Sequence, residues 1–356
     1  MILSPHIQIY LKTTETCNLN CKHCFTSGSN GAKIFFDPDK TINFIHRLKR
    51  DVPHLRSVRI MFHGGEPMLA PVAHMRDVYD CTKDVFEDTS FGMQTNLVYT
   101  LTEDRRRFFK DVLFKDGFGT SWDYDIRFKD SKQDLKRYEA NSIILNELDG
   151  HRTTMIVSIT KGLIRDMEPL QVMEYAKKLG YSYILFERIT SDGNAKLNSD
   201  IIPSNLEQDA WIHKMWRQCI EFKTYEWIGN MFMSEIATAI INGQHVANRC
   251  RNCEQSLLTI NADGTIAGCP NTAPVDYWGH IDHNIKDMLG SKKRLDIIGC
   301  ETQRDPRCYT CPAFDLCNGD CHQLSWDGDV CAAPKSIWKS VIKEQDFDAY
   351  KRLMIQ

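Results

Sequence analysis

The sequence predicts an α/β chain, a partial (β/α)6 barrel followed by a cysteine-rich extension. Two observations carry this. Six short β-rich runs alternate with longer segments of helical spacing up to about residue 204. The 14 cysteines fall into two groups, three between positions 17 and 24 and nine between 250 and 331, with only Cys81 and Cys219 between them. At 356 residues the chain is long enough for one large domain or two smaller ones, with a substantial buried core.

The strand runs are HIQIYLKT (6–13), SVRIMFHG (57–64), FGMQTN (91–96), GFGTSWD (117–123), TTMIVSIT (153–160) and YILFERI (183–189). Each is short, and most are rich in β-branched and aromatic residues. Most are followed by a helical pattern. In PDKTINFIHRLKR, Ile42, Ile45 and Leu48 fall on one face, and MEPLQVMEYAKKLG closes on Gly180 as a cap. Strands separated by helical crossovers of this length pair in parallel. Six such units are fewer than the eight that close a complete barrel. Beyond residue 204 one long helical stretch, 205–240, leads to Gly243 and the polar GQHVANR. That boundary divides the chain into a core over 1–240 and an extension over 245–356.

Composition narrows the class. Hydrophobic residues make up 42% and charged residues 26%, ordinary for a soluble globular protein. No apolar run approaches the roughly 18 to 20 residues of a membrane span, and MILSPHIQIYLK lacks the basic and apolar regions of a secretory signal. A cytoplasmic location is the expectation. A net charge of −3 calls for neither nucleic acid nor an anionic membrane surface. Cysteine is the outlier, and in a reducing compartment so many thiols point to metal or redox chemistry rather than to disulfides.

In parallel α/β architectures ligands bind beyond the carboxyl ends of the strands. Cys17, Cys21 and Cys24 follow the first strand, HGGEP (63–67) ends the second, Gln94 and Asn96 end the third, Ser121 and Asp123 the fourth, and Arg188 the sixth. All are expected on one rim. The spacing C-x3-C-x2-C can wrap an iron-sulfur cluster and leave one iron open, whereas a structural zinc site would close with a fourth ligand. His23, inside the motif, keeps the zinc reading in play. Gly64 and Gly65 permit close backbone approach to a ligand, and Glu66 can pair with an ammonium group. Arg188 can bind a carboxylate bidentately or form a surface salt bridge.

The second group contains C-x2-C-x5-C-x3-C at Cys308, Cys311, Cys317 and Cys321, followed by Cys331. Upstream, NADGTIAGC reads as a hairpin with an Asp-Gly turn that returns Cys269 towards Cys253. A pair of zinc knuckles is the alternative for these thiols. Cys81, Cys219 and Cys300 are left over and read as buried structural cysteines, with donation of a hydrogen atom to a product radical as the alternative for one of them.

CNLNCKHC resembles the C-x3-C-x2-C motif of the radical S-adenosylmethionine enzymes, and the six-unit core with its Gly-Gly-Glu-Pro run resembles their partial barrel. The resemblance implies a [4Fe-4S] cluster on Cys17, Cys21 and Cys24, with S-adenosylmethionine chelating the open iron. It implies that Gly64, Gly65 and Glu66 hold the methionine end of the cofactor. MQTN and TSWD resemble the ends of strands three and four in peptide-modifying members, making Asn96, Ser121 and Asp123 cofactor or substrate contacts; Arg188 joins them as a cofactor-binding candidate. The C-terminal cysteines resemble the SPASM extension, which carries two auxiliary [4Fe-4S] clusters. Interleaved ligation as in that family would put Cys250, Cys253, Cys269 and Cys321 on the first and Cys308, Cys311, Cys317 and Cys331 on the second.

The function so implied is hydrogen abstraction from a ribosomally made peptide or protein, giving a crosslink, an oxidation or an epimerisation. A small-molecule epimerase or dehydrogenase, acting on a sugar or aminocyclitol, is the alternative. Sulfatase maturation is disfavoured because the family's proposed base directly after the residue equivalent to Cys269 is here Pro270. An external donor such as flavodoxin or ferredoxin is implied. Because the chain opens at the first barrel strand, a separate leader-binding protein, or recognition by the core itself, is expected.

Overall fold

The computed structural model describes residues 3–26, 28–113, 117–128, 131–148, 152–243 and 251–355. Its centre is a ten-stranded sheet. The six core strands are β1 (His6–Lys12), β2 (Ser57–His63), β3 (Asp88–Thr95), β4 (Phe118–Ser121), β5 (Thr153–Ile159) and β6 (Tyr183–Arg188). They lie side by side in sequence order, every neighbouring pair parallel. This is the expected partial barrel; five of the six strands lie within the runs identified from sequence, and β3 overlaps its run but begins three residues earlier, at Asp88.

Strand alternation assigns the two faces. Ile7, Ile9 and Leu11 of β1 are buried against the helical layer, while Gln8 and Tyr10 on the opposite face are only half-buried. The helix Pro38–Asp51 shows how the outer layer is specified. Asp37 caps it by accepting from the Lys40 N–H, Pro38 begins it, and Phe44, Ile45 and Leu48 are buried in the core beneath. Helix Pro169–Lys178 ends as anticipated, with Gly180 at φ +87° accommodating the left-handed turn.

The stretch expected as one long helix is two. Helix Asn205–Glu221 stops where Lys223 turns left-handed, at φ 48°. A two-residue strand β7 (Gly229–Asn230) then pairs parallel with β6 before helix Met231–Asn242 begins. Asn230 caps that second helix through the Met233 N–H. Both helices carry an apolar face, and the Lys223–Glu226 stretch between them contains neither Gly nor Pro, so the break has no strong local signal.

The extension joins the same sheet. The hairpin of β8 (Leu257–Ile260) and β9 (Thr265–Ala267) forms as predicted, with Gly264 at φ +85° in its turn. β8 runs parallel beside β1, and β10 (Gly279–His280) completes the edge antiparallel to β9. Cysteine-rich loops and helix Lys335–Glu344 follow, the latter packing on helix Asn205–Glu221. Among the described residues no helix is long and apolar enough to cross a membrane.

Candidate cluster and cofactor site

The loop leaving β1 carries the first three cysteines, and the HGGEP run fixes its path. The Gly65 N–H donates to the Thr14 carbonyl at 2.8 Å and the Glu66 N–H to the Thr16 carbonyl at 3.0 Å. A Cβ on Gly64, whose φ is +130°, would lie 2.3 Å from the Thr14 oxygen, and one on Gly65 2.0 Å from the Thr16 oxygen. Two glycines are therefore required for the chain to pass this close to itself one residue before Cys17. The expectation drawn from sequence was close approach to a ligand; the approach seen is between HGGEP and the cysteine loop.

The far side of the loop rests on the segment after β6. The Asn194 N–H donates to the Cys24 carbonyl at 2.9 Å, its side-chain amide donates to the Cys21 carbonyl at 3.1 Å, and a Cβ on Gly193 would sit 2.5 Å from the Cys24 oxygen. Sequence reading missed this seat. Its signal was the Asp-Gly-Asn run at 192–194, a turn sequence at a strand end.

Glu66 is wholly buried at the centre of the rim. Its Oε1 accepts from the Met68 N–H at 3.0 Å and the Thr95 hydroxyl at 2.8 Å, and its Oε2 accepts from the Asn96 N–H at 2.8 Å. Burial pushes its pKa up to about 7 against the pull of those three donors. The Asn96 amide donates to Asn18 Oδ1 at 2.8 Å and to the Cys17 sulfur at 3.5 Å, tying the end of β3 to the cysteine loop. Ser121 accepts from the Gln94 amide at 2.8 Å.

Asp123 is buried and holds a cation that sequence reading missed. Its Oδ1 accepts from the Ser158 N–H at 2.9 Å, while its Oδ2 accepts from Arg127 Nε at 2.9 Å and lies 3.6 Å from His23 Nε2. Burial alone would raise the Asp123 pKa, but Arg127 and His23 hold it below the usual carboxylate range. The i, i+4 spacing of Asp123 and Arg127 was the available signal. Burial pushes the Cys17 thiol up to about 12 and Cys21 to about 11, and Arg127 opposes both shifts. Bare thiols here are neutral at pH 7, so they become ligands only when metal charge joins that of Arg127.

In the extension, a cavity of about 280 Å³ is lined by Cys308, Cys311, Cys317, Cys321 and Cys331, with Trp326 and Trp338 on its wall. Cys321, expected on the other set, thus also borders this space. Arg251 donates to the carbonyls of Gly319, at 2.8 Å, and Asp320, fixing the Cys321 turn to the segment that carries Cys253. The hairpin brings Gly268, beside Cys269, against the Glu254 carboxylate, where a Cβ would meet Oε1 at 2.2 Å. Cys250 lies outside the described residues. No group of three or more His, Cys, Asp or Glu among the described residues is gathered so as to hold a single metal ion. A four-iron cluster keeps its thiolates farther apart than one zinc ion does, and a cavity walled by five thiols fits the larger group.

Arg188 is the exception among the rim candidates. It shares strand parity with Ile184 and Phe186, so it points out of the barrel and over the Phe232 ring. Its two Nη atoms grip Asp320 at 2.8 and 2.6 Å, and Nη1 also donates to the Ala332 carbonyl at 2.7 Å. It joins β6 to the extension instead of facing the rim.

No family model matches the chain. An uncharacterized protein of Archaeoglobus fulgidus is 22% identical over 327 residues, covering 88% of this chain and 73% of the relative. Among solved structures, the anaerobic sulfatase maturase anSMEcpe with bound AdoMet and a Cp18Cys peptide superposes with a TM-score of 0.76 at 15% identity, covering 98% of this chain and 99% of that one. SuiB of Streptococcus suis bound to S-adenosylmethionine gives 0.62 at 11% identity, over 93% and 78%. SuiB with its precursor peptide SuiA gives 0.59 at 12% identity, over 90% and 73%. The chain therefore has the fold of radical S-adenosylmethionine enzymes that carry a SPASM extension, as its cysteine spacing implied.

Proposed function

We propose that this chain is a radical S-adenosylmethionine enzyme that abstracts hydrogen from a peptide or protein. The observation that carries the reading is the three-thiol loop with no fourth thiol beside it, seated between HGGEP and the Asn194 turn. Peptides bound in the anSMEcpe and SuiB structures support the substrate class.

Cys17, Cys21 and Cys24 would hold a [4Fe-4S] cluster, and Glu66, Asn96, Ser121 and Asp123 would surround S-adenosylmethionine, with the Gly64 and Gly65 backbone alongside. When bound, that pair supplies a 5′-deoxyadenosyl radical. Glu66 Oε1 is filled by its bonds from Met68 and Thr95, whereas Oε2, which accepts only from the Asn96 N–H, retains a free lone-pair direction to accept from the methionine ammonium. Arg127, fixed by Asp123, brings positive charge to the thiolates. Cys253, Cys269 and Cys321, with Cys250, would hold one auxiliary cluster, and Cys308, Cys311, Cys317 and Cys331 the other. Two fully ligated clusters favour electron transfer over substrate coordination. An external donor such as flavodoxin or ferredoxin would supply the electron that reduces the clusters, and either a separate leader-binding protein or the core itself would serve recognition.

Replacing Cys17, Cys21 and Cys24 together by Ala tests the assignment. The expected outcome is complete loss of 5′-deoxyadenosine formation, with about two thirds of the iron retained on the remaining eight ligands. Persistent cleavage in that variant would show that the radical site lies elsewhere.

A further inference from the structure

Lys12 is the last residue of β1, on the same face as the half-buried Gln8 and Tyr10. The residue is only 3% exposed. Among the described residues its ammonium makes no hydrogen bond and no ion pair within 4 Å. The titratable groups around it are Glu15, Cys269, Cys24 and Asp263. Lys12 thus lies at the end of β1 where that strand is flanked by β2 on one side and by the β8–β9 hairpin leading to Cys269 on the other. Both nearby carboxylates are committed to the hairpin. Glu15 accepts from the Ala262 N–H at 3.2 Å, and Asp263 accepts from the Thr265 N–H at 2.9 Å and its hydroxyl at 2.6 Å.

A buried nitrogen without a partner stands beside it. His63 is the register partner of Lys12 on β2, its ring packs edge-on against Tyr10 at 5.5 Å, and its Nδ1 is buried without a partner. Burial pushes the His63 pKa down to about 4, so the ring is neutral at pH 7. A buried polar group left without a partner is costly. An ammonium with no protein partner beside an unpartnered ring nitrogen, at the carboxyl ends of adjacent strands, marks a place for polar groups from outside the chain. Burial also disfavours the charge on Lys12, which an anion alongside would offset.

We propose that Lys12 is a specificity-determining residue that binds a carboxylate of the peptide substrate, an Asp or Glu side chain next to the position attacked, with His63 completing the polar pocket. This rests on the peptide-modifying reading above. The chemistry selected is an acidic peptide segment entering the barrel mouth between the radical site and the first auxiliary site.

The test uses the anaerobically reconstituted full chain with S-adenosylmethionine and a library of random linear peptides as the probe. The wild type is expected to enrich peptides with Asp or Glu at one fixed position. Resynthesis of an enriched peptide with Asn or Gln there should weaken binding about tenfold or more. Lys12→Met should lose that discrimination and Lys12→Arg should keep it; Lys12→Gln replaces the Met variant where thermal unfolding shows that it does not fold. Absence of acidic enrichment in the wild type, or the same preference in Lys12→Met, would overturn the proposal. Peptide-independent 5′-deoxyadenosine formation by the wild type is scored separately. Its absence sinks the radical reading, whereas its presence without acidic preference sinks only the role given to Lys12.

Discussion

Glu66 shows how a single side chain serves both fold and site. Its carboxylate joins HGGEP to the end of β3 through Thr95 and Asn96, and burial raises its pKa to about 7 from an ordinary 4.5. The folded protein then holds this proton more tightly than the unfolded chain does. Its contribution to stability is fully present below the ordinary value of 4.5 and is lost as pH rises through about 7. For the protein without cofactor, urea unfolding should show a loss of up to about 3 kcal/mol across that window. Glu66→Gln should flatten the slope; an unchanged slope would mean that the burial of Glu66 has no electrostatic consequence. Glu66 and Asp123 were legible in sequence because they sit in short motifs. Arg127 and Asn194 carried only weak local signals, the i, i+4 spacing to Asp123 and the Asp-Gly-Asn turn, and Lys12 carried none, because their importance comes from neighbours distant in the chain: the thiols for Arg127, the hairpin for Lys12, the cysteine loop for Asn194.

At the scale of elements, β6 illustrates both the reach and the limit of a sequence pattern. Its span was readable from an apolar, aromatic run, but the face of Arg188 was not, since that depends on which parity meets the helical layer. The guanidinium clamp on Asp320 links β6 to the cysteine-rich loops, with Arg188 3% and Asp320 11% exposed. Arg188→Ala leaves the Asp320 carboxylate without its counterion and is expected to destabilise the protein by about 3–5 kcal/mol. Arg188→Lys, lacking the planar fork, should recover only part of this. Thermal unfolding of the two variants checks the expectation, and a Lys variant as stable as wild type would contradict it. The break before β7 was hidden for a related reason. A left-handed Lys223 carries no strong local signal, and the apolar spacing resumes after it.

For the whole molecule, the order of the six core strands follows from the rule that consecutive βα units pair in parallel. The placement of β8 beside β1 is a pairing between residues about 250 apart in sequence, and nothing local encodes it. Yet this pairing is what brings the Cys269 hairpin next to the rim that carries Cys17, Cys21 and Cys24, so that one sheet supports both sites. The three-thiol loop is distinguished by contrast with an extension that has thiols enough to complete two further sets. Anaerobic reconstitution followed by iron and sulfide analysis, with S-adenosylmethionine cleavage measured on the same sample, tests this most directly. The expected result is about 12 iron and 12 sulfide per chain together with 5′-deoxyadenosine formation under reducing conditions. A colourless, zinc-loaded protein that leaves S-adenosylmethionine intact would contradict it.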